Sequence, residues 1–440
     1  MKPTPLLACR QCGQLHQRIQ LAADTAASCV RCHATLYRYS ALSLNDWTAI
    51  LLGSLITFAI AYSFPIVVLT LQGTTVNASI PQALWLTWQQ GYHLVALMGF
   101  LFTVVFPVGQ LCFQLWAIRR IYKKNLPSDF RFGLRVLEAI VSWSMIPVLC
   151  LAILVALVKL AGMATVHIGP ALYAFGVLLV LMTISGRLSA NTIWQLAEDQ
   201  GLVAVAGQNC QDKQAVIDCR SCGYIQPMRT TTRFCRRCGA QVFRFIPDSF
   251  SRAWAFVIAA AILYLPANIL PVMELRLPTG ANSHTILGGV IELWQMGSVE
   301  LALVVFTASV LVPITKILAL GFLLIHNKWR GQRVQRQRTR LYQIIEFVGH
   351  WSMLDVFVVL LLTAMADFPG LSQVKAGPGA TAFGAVVILT MFAAMSYDAR
   401  MGWNRQSPSK LETKNEQELT SKLQKPRQAA TLNTSLVQEE

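Results

Sequence analysis

The sequence repeats itself at a fixed distance, and this repeat constrains the fold more than any other feature. Residues of the first half recur 206 residues later, and the offset becomes 208 after a basic loop. The recurring residues are spread over the whole half; they are Pro65 and Pro271, Trp88 and Trp294, Gly91 and Gly297, Pro107 and Pro313, Glu138 and Glu346, and Gly169 and Gly377. The chain is therefore predicted to be a tandem duplication, a construction that is common among membrane transporters.

Hydropathy places the chain in a membrane. Of its 440 residues, 54% are hydrophobic and 13% are charged, whereas soluble domains carry about 25% charged residues. The net charge of +16 lies in short pieces between apolar segments. This pattern favours basic loops beside anionic lipid over a nucleic-acid-binding surface.

Each half contains four apolar segments of about 18–27 residues, enough to cross roughly 30 Å of hydrocarbon. The predicted spans are 47–71, 94–118, 136–161 and 169–194 in the first half, and 253–273, 299–325, 341–365 and 380–397 in the second. Residues 1–46 lack the continuous apolar core of a secretory signal, so the first segment is predicted to be a retained helix.

Cysteine spacing predicts two metal sites. Eight of the 11 cysteines form four Cys-x-x-Cys pairs, which couple across 16 residues in one half and 12 in the other. The predicted ligands are Cys9, Cys12, Cys29 and Cys32 for one site, and Cys219, Cys222, Cys235 and Cys238 for the other. Two such knuckles suit a tetrahedral structural Zn²⁺. A redox dithiol relay and an iron–sulfur cluster are the alternatives. His16 and His33 are either substitute ligands or surface histidines.

The combined prediction is an all-α polytopic membrane protein, a tandem repeat of two modules that each consist of a small zinc ribbon followed by four transmembrane helices. The predicted boundaries are 1–46 for the first ribbon, 47–200 for the first module, 201–250 for a linker and the second ribbon, 251–403 for the second module, and 404–440 for a disordered cytoplasmic tail.

The distribution of Lys and Arg predicts the orientation. The loops 119–135 and 328–340 each carry six basic residues, whereas the loop 72–91 carries none and the loop 274–298 carries only Arg276. Basic loops face the cytoplasm. An even number of spans per module therefore puts both ribbons and both termini in the cytoplasm, where thiols stay reduced.

Two ionisable residues, Lys316 and Asp355, lie inside predicted spans, where a charge is costly unless it is paired or wetted. Their counterparts in the first half are Gln110 and Pro147. One interpretation is a polar wall of a lipid-binding cavity, in which Lys316 attracts a phosphate and Asp355 holds Lys316. The other is that Lys316 snorkels to the headgroups while Asp355 joins a packing network. The predicted polar set comprises Lys316, Asp355, Asn268, Thr285, Ser352 and Glu346.

Several stretches of the second half resemble the paraquat-inducible protein A family of bacterial inner-membrane proteins, and the last of them is most similar to its PqiA branch. They are residues 263–273, 285–294, 310–316, 348–357 and 390–398. The resemblance implies a tetraspanin-like arrangement of the four spans. It also implies a non-enzymatic role in intermembrane lipid transport, in which (phospho)lipids pass to a periplasmic MCE-domain partner of the PqiB type and envelope integrity is supported.

Two other functions are compatible with the residues alone. The cysteine pairs would suit a membrane thiol or quinone-linked redox protein, and the Lys316–Asp355 pair would suit an ion-coupled small-molecule transporter. The sequence contains no Walker-type glycine–lysine loop, so any nucleotide-derived energy must come from another protein.

Overall fold

The computed structural model describes residues 6–19, 21–22, 25–38, 42–71, 74–161, 165–203, 216–227, 234–243, 245–277, 280–295, 297, 299–325, 332–351, 353–365 and 373–404. The predicted tail beyond residue 404 lies outside this range. The described part is mostly helical. The side chains of Glu346, Ser352 and Asp355 also lie outside the described residues.

The helices of the first half are α1 (Leu44–Ser63), α2 (Ile80–Gln89), α3 (His93–Phe100), α4 (Phe106–Tyr122), α5 (Phe130–Val141), α6 (Ile146–Ala161), α7 (Pro170–Ser185) and α8 (Ala190–Asp199). Those of the second half are α9 (Ser249–Ile269), α10 (Ile286–Gln295), α11 (Val299–Phe306), α12 (Val312–Ile325), α13 (Gln332–Trp351), α14 (Leu354–Met365), α15 (Pro378–Ser396) and α16 (Arg400–Asn404).

Six helical stretches among the described residues are long and apolar enough to cross a membrane. They are Leu44–Ser63, His93–Tyr122, Phe130–Val158, Ser249–Ile269, Ala302–Ile325 and Pro378–Ser396. The bent pair α7 and α8, which meet at 55°, gives a seventh if it is counted as one span. The remaining predicted span, 341–365, is divided between α13 and α14.

Small antiparallel sheets accompany the helices, which the all-α prediction did not include. The strands are β1 (Leu6–Ala8), β2 (Leu15–Gln17), β3 (Ala26–Ser28), β4 (Thr35–Arg38), β5 (Val67–Leu71), β6 (Thr74–Ala78), β7 (Thr165–Ile168), β8 (Val216–Asp218), β9 (Ile225–Pro227), β10 (Met273–Leu277), β11 (Gly280–His284) and β12 (Gln373–Ala376). Hairpins β1–β2, β3–β4 and β8–β9 belong to the ribbons. Three-stranded sheets with the orders β6-β5-β7 and β11-β10-β12 follow the first long helix of each half.

The first span of each half ends earlier than predicted because a proline ends its helix. The residues before Pro65 and Pro271 are Phe64 and Leu270, and both are extended, with ψ of 158° and 147°. A residue that precedes proline avoids the helical region. The chain after Pro65 therefore leaves the helix and continues as β5, which the prediction had included in the span.

The recurring Gly-Pro dipeptides lie where two backbones touch. The Gly169 amide donates to the Ile66 carbonyl at 2.8 Å, and the Gly377 amide donates to the Val272 carbonyl at 2.7 Å. A Cβ at either glycine would overlap the carbonyl oxygen of Pro65 or Pro271. The contact therefore requires glycine, which explains why the dipeptide occurs in both halves.

A π-helical segment precedes a proline at the same place in each half. These segments are Leu101–Val105, before Pro107, and Thr307–Leu311, before Pro313. Proline lacks an N–H, so the carbonyl four residues earlier loses its helical donor. In the first half this is the Thr103 carbonyl, which accepts a hydrogen bond from the Tyr62 hydroxyl at 2.6 Å. Tyr62 thus satisfies the group that Pro107 leaves unpaired.

We expect Tyr62→Phe to lower the stability of the first half by about 1–2 kcal/mol, because the Thr103 carbonyl would be left buried without its donor. The midpoint of thermal unfolding of the detergent-purified protein measures this change. Tyr173→Phe is the matched control, because the Tyr173 side chain is exposed. Equal midpoints for the two variants would contradict the role given to Tyr62.

The two halves share one core. Within the first half α1 packs on α7, and within the second α9 packs on α15, whereas α14 of the second half packs on α2 and α6 of the first. Helices α3 and α14 approach closely at Gly99, where a Cβ would lie 3.2 Å from Leu360 Cδ1. Since α1 runs from the first ribbon to β5, the ribbons and the three-stranded sheets lie at opposite ends of the helices.

Candidate metal centres and a buried lysine

The eight predicted ligands form two groups of four buried cysteines. In each group the four sulfur atoms lie within 4.8 Å of one another. The closest Sγ–Sγ distances are 3.5 Å for Cys9–Cys32 and Cys12–Cys29, and 3.5 and 3.6 Å for Cys219–Cys238 and Cys222–Cys235. A tetrahedron with Zn–S bonds of about 2.3 Å has edges of about 3.8 Å. The geometry therefore fits a four-sulfur Zn²⁺ site in each ribbon.

Charge within these groups also favours a cation. Hydrogen bonds with Cys12 and Cys32 lower the pKa of Cys9, whereas hydrogen bonds from Cys32 and Cys9 raise the pKa of Cys12. In the second group the pKa of Cys235 is lowered and that of Cys222 is raised by hydrogen bonds with their neighbouring thiols. Closely spaced sulfurs cannot all ionise together unless a positive ion is added, which Zn²⁺ would supply.

The same turn builds every knuckle. The first cysteine donates its amide to a carbonyl five residues on, and its carbonyl accepts the amide of the residue after the second cysteine. That last residue has a left-handed backbone in all four knuckles. It is glycine in three of them (Gly13, Gly223 and Gly239), but it is His33, with φ of 61°, in the fourth. His33 is thus a turn residue, while His16 Nε2 lies 3.2 Å from Cys29 Sγ, beside the site.

We expect His33→Gly to strengthen zinc retention in the first ribbon by up to about fivefold, because glycine adopts the left-handed conformation without the penalty of about 1 kcal/mol that other residues incur. Competition with a chelator, followed as stepwise release of the two ions, measures this effect. Gly13→His should weaken zinc retention at the same site. If His33→Gly weakens zinc retention instead, the His33 side chain has a role that the turn does not explain.

Each ribbon stacks an arginine of its second knuckle on a tryptophan of the opposite half. Arg31, in the first ribbon, lies 4.8 Å over the Trp403 ring, and Arg237, in the second, lies 4.7 Å over the Trp194 ring. Trp403 is buried among the four cysteines of the first group, and its Nε1 donates to Thr339 Oγ1 at 3.0 Å. The first ribbon therefore docks on the second half, and the second ribbon docks on the first.

The first knuckle of each ribbon contacts its own half. Arg10 pairs with Glu138 at 3.0 Å, and Arg220 pairs with the buried carboxylate of Asp398. Arg400 forms a two-pronged pair with Asp218, at 2.7 and 2.8 Å, and donates to the Arg10 carbonyl at 2.9 Å. Each ribbon thus bridges both halves. Sequence analysis missed this crossed docking, although the arginine at the same place in both second knuckles was a usable signal.

Lys316 is one of the buried charged residues of the helical part. It lies on α12, and only 3% of the residue is exposed. Its Nζ has no hydrogen-bond acceptor among the described residues. A Cβ on Gly349 of α13 would lie 3.2 Å from this nitrogen, so the glycine provides the space for the ammonium group. Its counterpart Gln110, on α4, is buried to the same degree.

The other members of the predicted polar set are only partly described. Asn268, in the last turn of α9, donates from its amide to the Tyr264 carbonyl at 2.9 Å. Thr285 accepts the Gly288 amide at 3.1 Å and so caps α10, as Ser79 caps α2 through Gln82. The predicted pairing of Asp355 with Lys316 lies outside the described residues, as do the side chains of Ser352 and Glu346.

Comparison with known proteins gives full-length relatives. The family model described as paraquat-inducible protein A matches residues 44–198 and 250–407. Intermembrane transport protein PqiA of Escherichia coli K12 is 30% identical over 413 residues, which cover 92% of this chain and 97% of that protein. A probable intermembrane transport protein of Haemophilus influenzae is also 30% identical, over 91% of this chain and 96% of its own length. Lipophilic envelope-spanning tunnel protein A of Escherichia coli K12 is 28% identical, over 90% of each chain. No solved structure matches.

Proposed function

Because this chain belongs to the paraquat-inducible protein A family, we propose that it is the inner-membrane component of an MCE-type intermembrane lipid transport system. It passes phospholipids between the inner membrane and a periplasmic MCE-domain partner of the PqiB type, and it supports envelope integrity without catalysing a reaction. The observation that carries this proposal is similarity over 92% of the chain to a protein named for intermembrane transport.

We further infer that the halves are tandem modules, each a zinc ribbon followed by four transmembrane helices in a tetraspanin-like arrangement. Two observations support this. The family model matches each half separately. Both halves also have the same order of elements, in which a long helix, a hairpin, a short helix and a π-interrupted helix precede a helix pair, a third strand and a final helix. The module boundaries are 47–200 and 251–403, and each ribbon holds one structural Zn²⁺.

The second module contains the lipid-binding wall in this proposal. The Lys316 ammonium group is buried and has no hydrogen-bond acceptor among the described residues. It lies against Gly349, where a Cβ would come within 3.2 Å of the nitrogen. A buried cation in a membrane is costly and therefore is retained for a function. A phospholipid phosphate supplies the acceptor that the ammonium lacks, and Asp355 holds Lys316 in place when no lipid is bound.

A thiol redox function is less well supported. Redox cysteines are accessible and have a lowered pKa in one thiol of each pair. Here all eight paired cysteines are buried, and they gather in fours. Four buried sulfurs around one point are typical of a structural metal site.

Native mass spectrometry of the detergent-purified protein tests the proposal, because it reports bound lipid, metal and partner together. We expect two zinc ions per chain, co-purifying phospholipid, and transfer of labelled phospholipid to the purified MCE partner. A protein that carries no lipid and transfers none in the presence of that partner would overturn the proposed function.

The proposed orientation has its own test. We place the ribbons in the cytoplasm and the three-stranded sheets in the periplasm. A cysteine at the exposed position Thr75, in β6, should react with an impermeant maleimide once the outer membrane is opened, whereas a cysteine at Lys123 should react only after the inner membrane is broken. The reverse pattern would invert the topology.

A further inference from the structure

A cavity of about 600 Å³ lies where the second ribbon meets the first module, between the start of α5, α8 and the second ribbon. Its charged lining residues, among those the structure describes, are Arg131, Arg236 and Arg237, and none is acidic. Trp194, Leu202 and further apolar side chains form the rest of the wall. The cavity therefore combines a basic side with an apolar side.

The three arginines differ in their availability. Arg237 is buried, pairs with Glu198 and stacks on Trp194. Its guanidinium group is therefore held in place, and the Glu198 carboxylate balances its charge. Arg131 and Arg236 have exposed side chains, and no carboxylate of a described residue pairs with either. These two guanidinium groups come from different elements, α5 and the second ribbon. An anion held between them would connect the ribbon to the module.

The start of α5 adds a further positive feature. Asp129, the residue before the helix, makes no side-chain cap. The Phe130 amide donates to the Pro127 carbonyl, so the helix dipole and the amides of Arg131 and Phe132 are what the first turn offers to an anion. Asp129 is itself exposed and acidic, and it is the nearest opposing charge in the sequence. Two arginines and a helix N-terminus outweigh one solvated carboxylate.

The position of the cavity indicates the source of the anion. The membrane-capable stretch His93–Tyr122 ends, and the stretch Phe130–Val158 begins, on either side of the loop beside the cavity. The opening therefore lies at headgroup depth, where basic pockets bind anionic lipid headgroups. Leu202 and Val203 offer an apolar wall to the glycerol and upper chain of such a lipid, which a free phosphate ion would not use.

We propose that this cavity binds the headgroup of an anionic phospholipid from the leaflet that faces the ribbons, with Arg131 and Arg236 contacting the phosphate. This lipid is a fixed component that joins the second ribbon to the first module. The site is separate from Lys316, and the proposal does not depend on the transport function.

Native mass spectrometry of the delipidated full chain tests this site. Short-chain phosphatidylglycerol, short-chain phosphatidylcholine and inorganic phosphate are the three probes. We expect the wild type to retain phosphatidylglycerol in preference to phosphatidylcholine. The double variant Arg131→Gln/Arg236→Gln should reduce phosphatidylglycerol binding about tenfold or more, since each arginine near anionic lipid contributes about 1 kcal/mol. Val203→Trp fills the cavity at constant charge and should reduce binding as well.

The matched control is Arg119→Gln/Lys123→Gln, which removes the same charge from exposed positions outside the cavity. It should bind phosphatidylglycerol like the wild type, and all variants should keep two zinc ions. An equal loss in the control would show diffuse attraction and overturn the site. Unchanged binding in both the double variant and Val203→Trp would also overturn it. Displacement of phosphatidylglycerol by millimolar phosphate, with no preference for the lipid, would assign the cavity to a free anion instead.

Discussion

Replacing Cys235 by serine is expected to remove one of the two zinc ions and to release the second ribbon from both modules. The ribbon is small, and metal binding supplies its folding energy, with apparent values of about 10–16 kcal/mol in zinc-finger peptides. Serine is a poor zinc ligand at neutral pH, so the site would lose one of its four thiolates. We expect this substitution to have a larger effect on stability than any of the others.

The crossed docking predicts where the damage appears. Arg237 would lose its stacking on Trp194 and its pairing with Glu198 in α8, and Arg220 would lose its pairing with Asp398 before α16. Amide hydrogen exchange should therefore accelerate in α8 and α16, which belong to different modules. The sheet β5–β6, at the opposite end of the helices, should keep its protection.

Zinc content and hydrogen exchange of the same preparation measure these effects. Cys112→Ser is the matched control, because Cys112 is an exposed cysteine of α4 outside both groups. It should keep two zinc ions and wild-type exchange. A Cys235→Ser protein that kept both ions, or that exchanged faster only in its own ribbon, would show that the ribbon does not bridge the modules. Iron in place of zinc would contradict the metal assignment.

The metal groups could be predicted from the sequence because their ligands are close together in the chain. A Cys-x-x-Cys pair fixes a local turn, and the structure brings the predicted eight sulfurs into two groups of four. A long apolar stretch can also be recognised from consecutive residues alone. Six of the predicted spans correspond to helices that are long and apolar enough to cross a membrane. Properties that depend on a few neighbouring residues were therefore accessible without a structure.

Features that depend on distant partners could not be predicted in the same way. Strand β5 forms a local hairpin with β6, but it also pairs with β7, which lies about a hundred residues later in the chain. No pattern around β5 in the sequence indicates that second pairing. The stacking of Arg31 on Trp403 joins opposite ends of the sequence. Likewise, the internal repeat singled out Gly169 but could not explain why glycine is needed there. The explanation is the close approach of the Pro65 carbonyl, which leaves no space for a Cβ.

The second large effect concerns transport rather than folding. We expect Lys316→Met to reduce phospholipid transfer about tenfold or more while the thermal stability stays equal or rises. A charge-assisted hydrogen bond to a phosphate contributes about 1.5–3 kcal/mol, which corresponds to roughly ten- to a hundredfold in affinity. The folded protein itself gains no hydrogen bond from this nitrogen within its described part. Methionine keeps the volume of the side chain and removes the cost of burying the ammonium charge. We expect Asp355, which loses its proposed partner, to take up a proton, so that no unpaired charge remains.

Gln110→Met is the matched control, since Gln110 is the counterpart of Lys316 in the first module and is equally buried. It should leave transfer close to wild type. Asp355→Asn should reduce transfer like Lys316→Met. The double variant should be no worse than the worse single variant, because residues that act as one unit are not additive.

The combination of stability and transfer separates the two interpretations of Lys316. If its ammonium group served packing or reached the headgroups, its loss would lower stability and leave transfer per folded molecule unchanged. If it binds lipid phosphate, transfer falls although the fold is as stable as before, and zinc content stays at two ions. Gly349→Ala provides an independent check, because its Cβ would lie 3.2 Å from Lys316 Nζ and displace it slightly. A transfer defect in Gly349→Ala with normal stability would support the lipid-binding role, whereas wild-type transfer in both Lys316→Met and Gly349→Ala would overturn it.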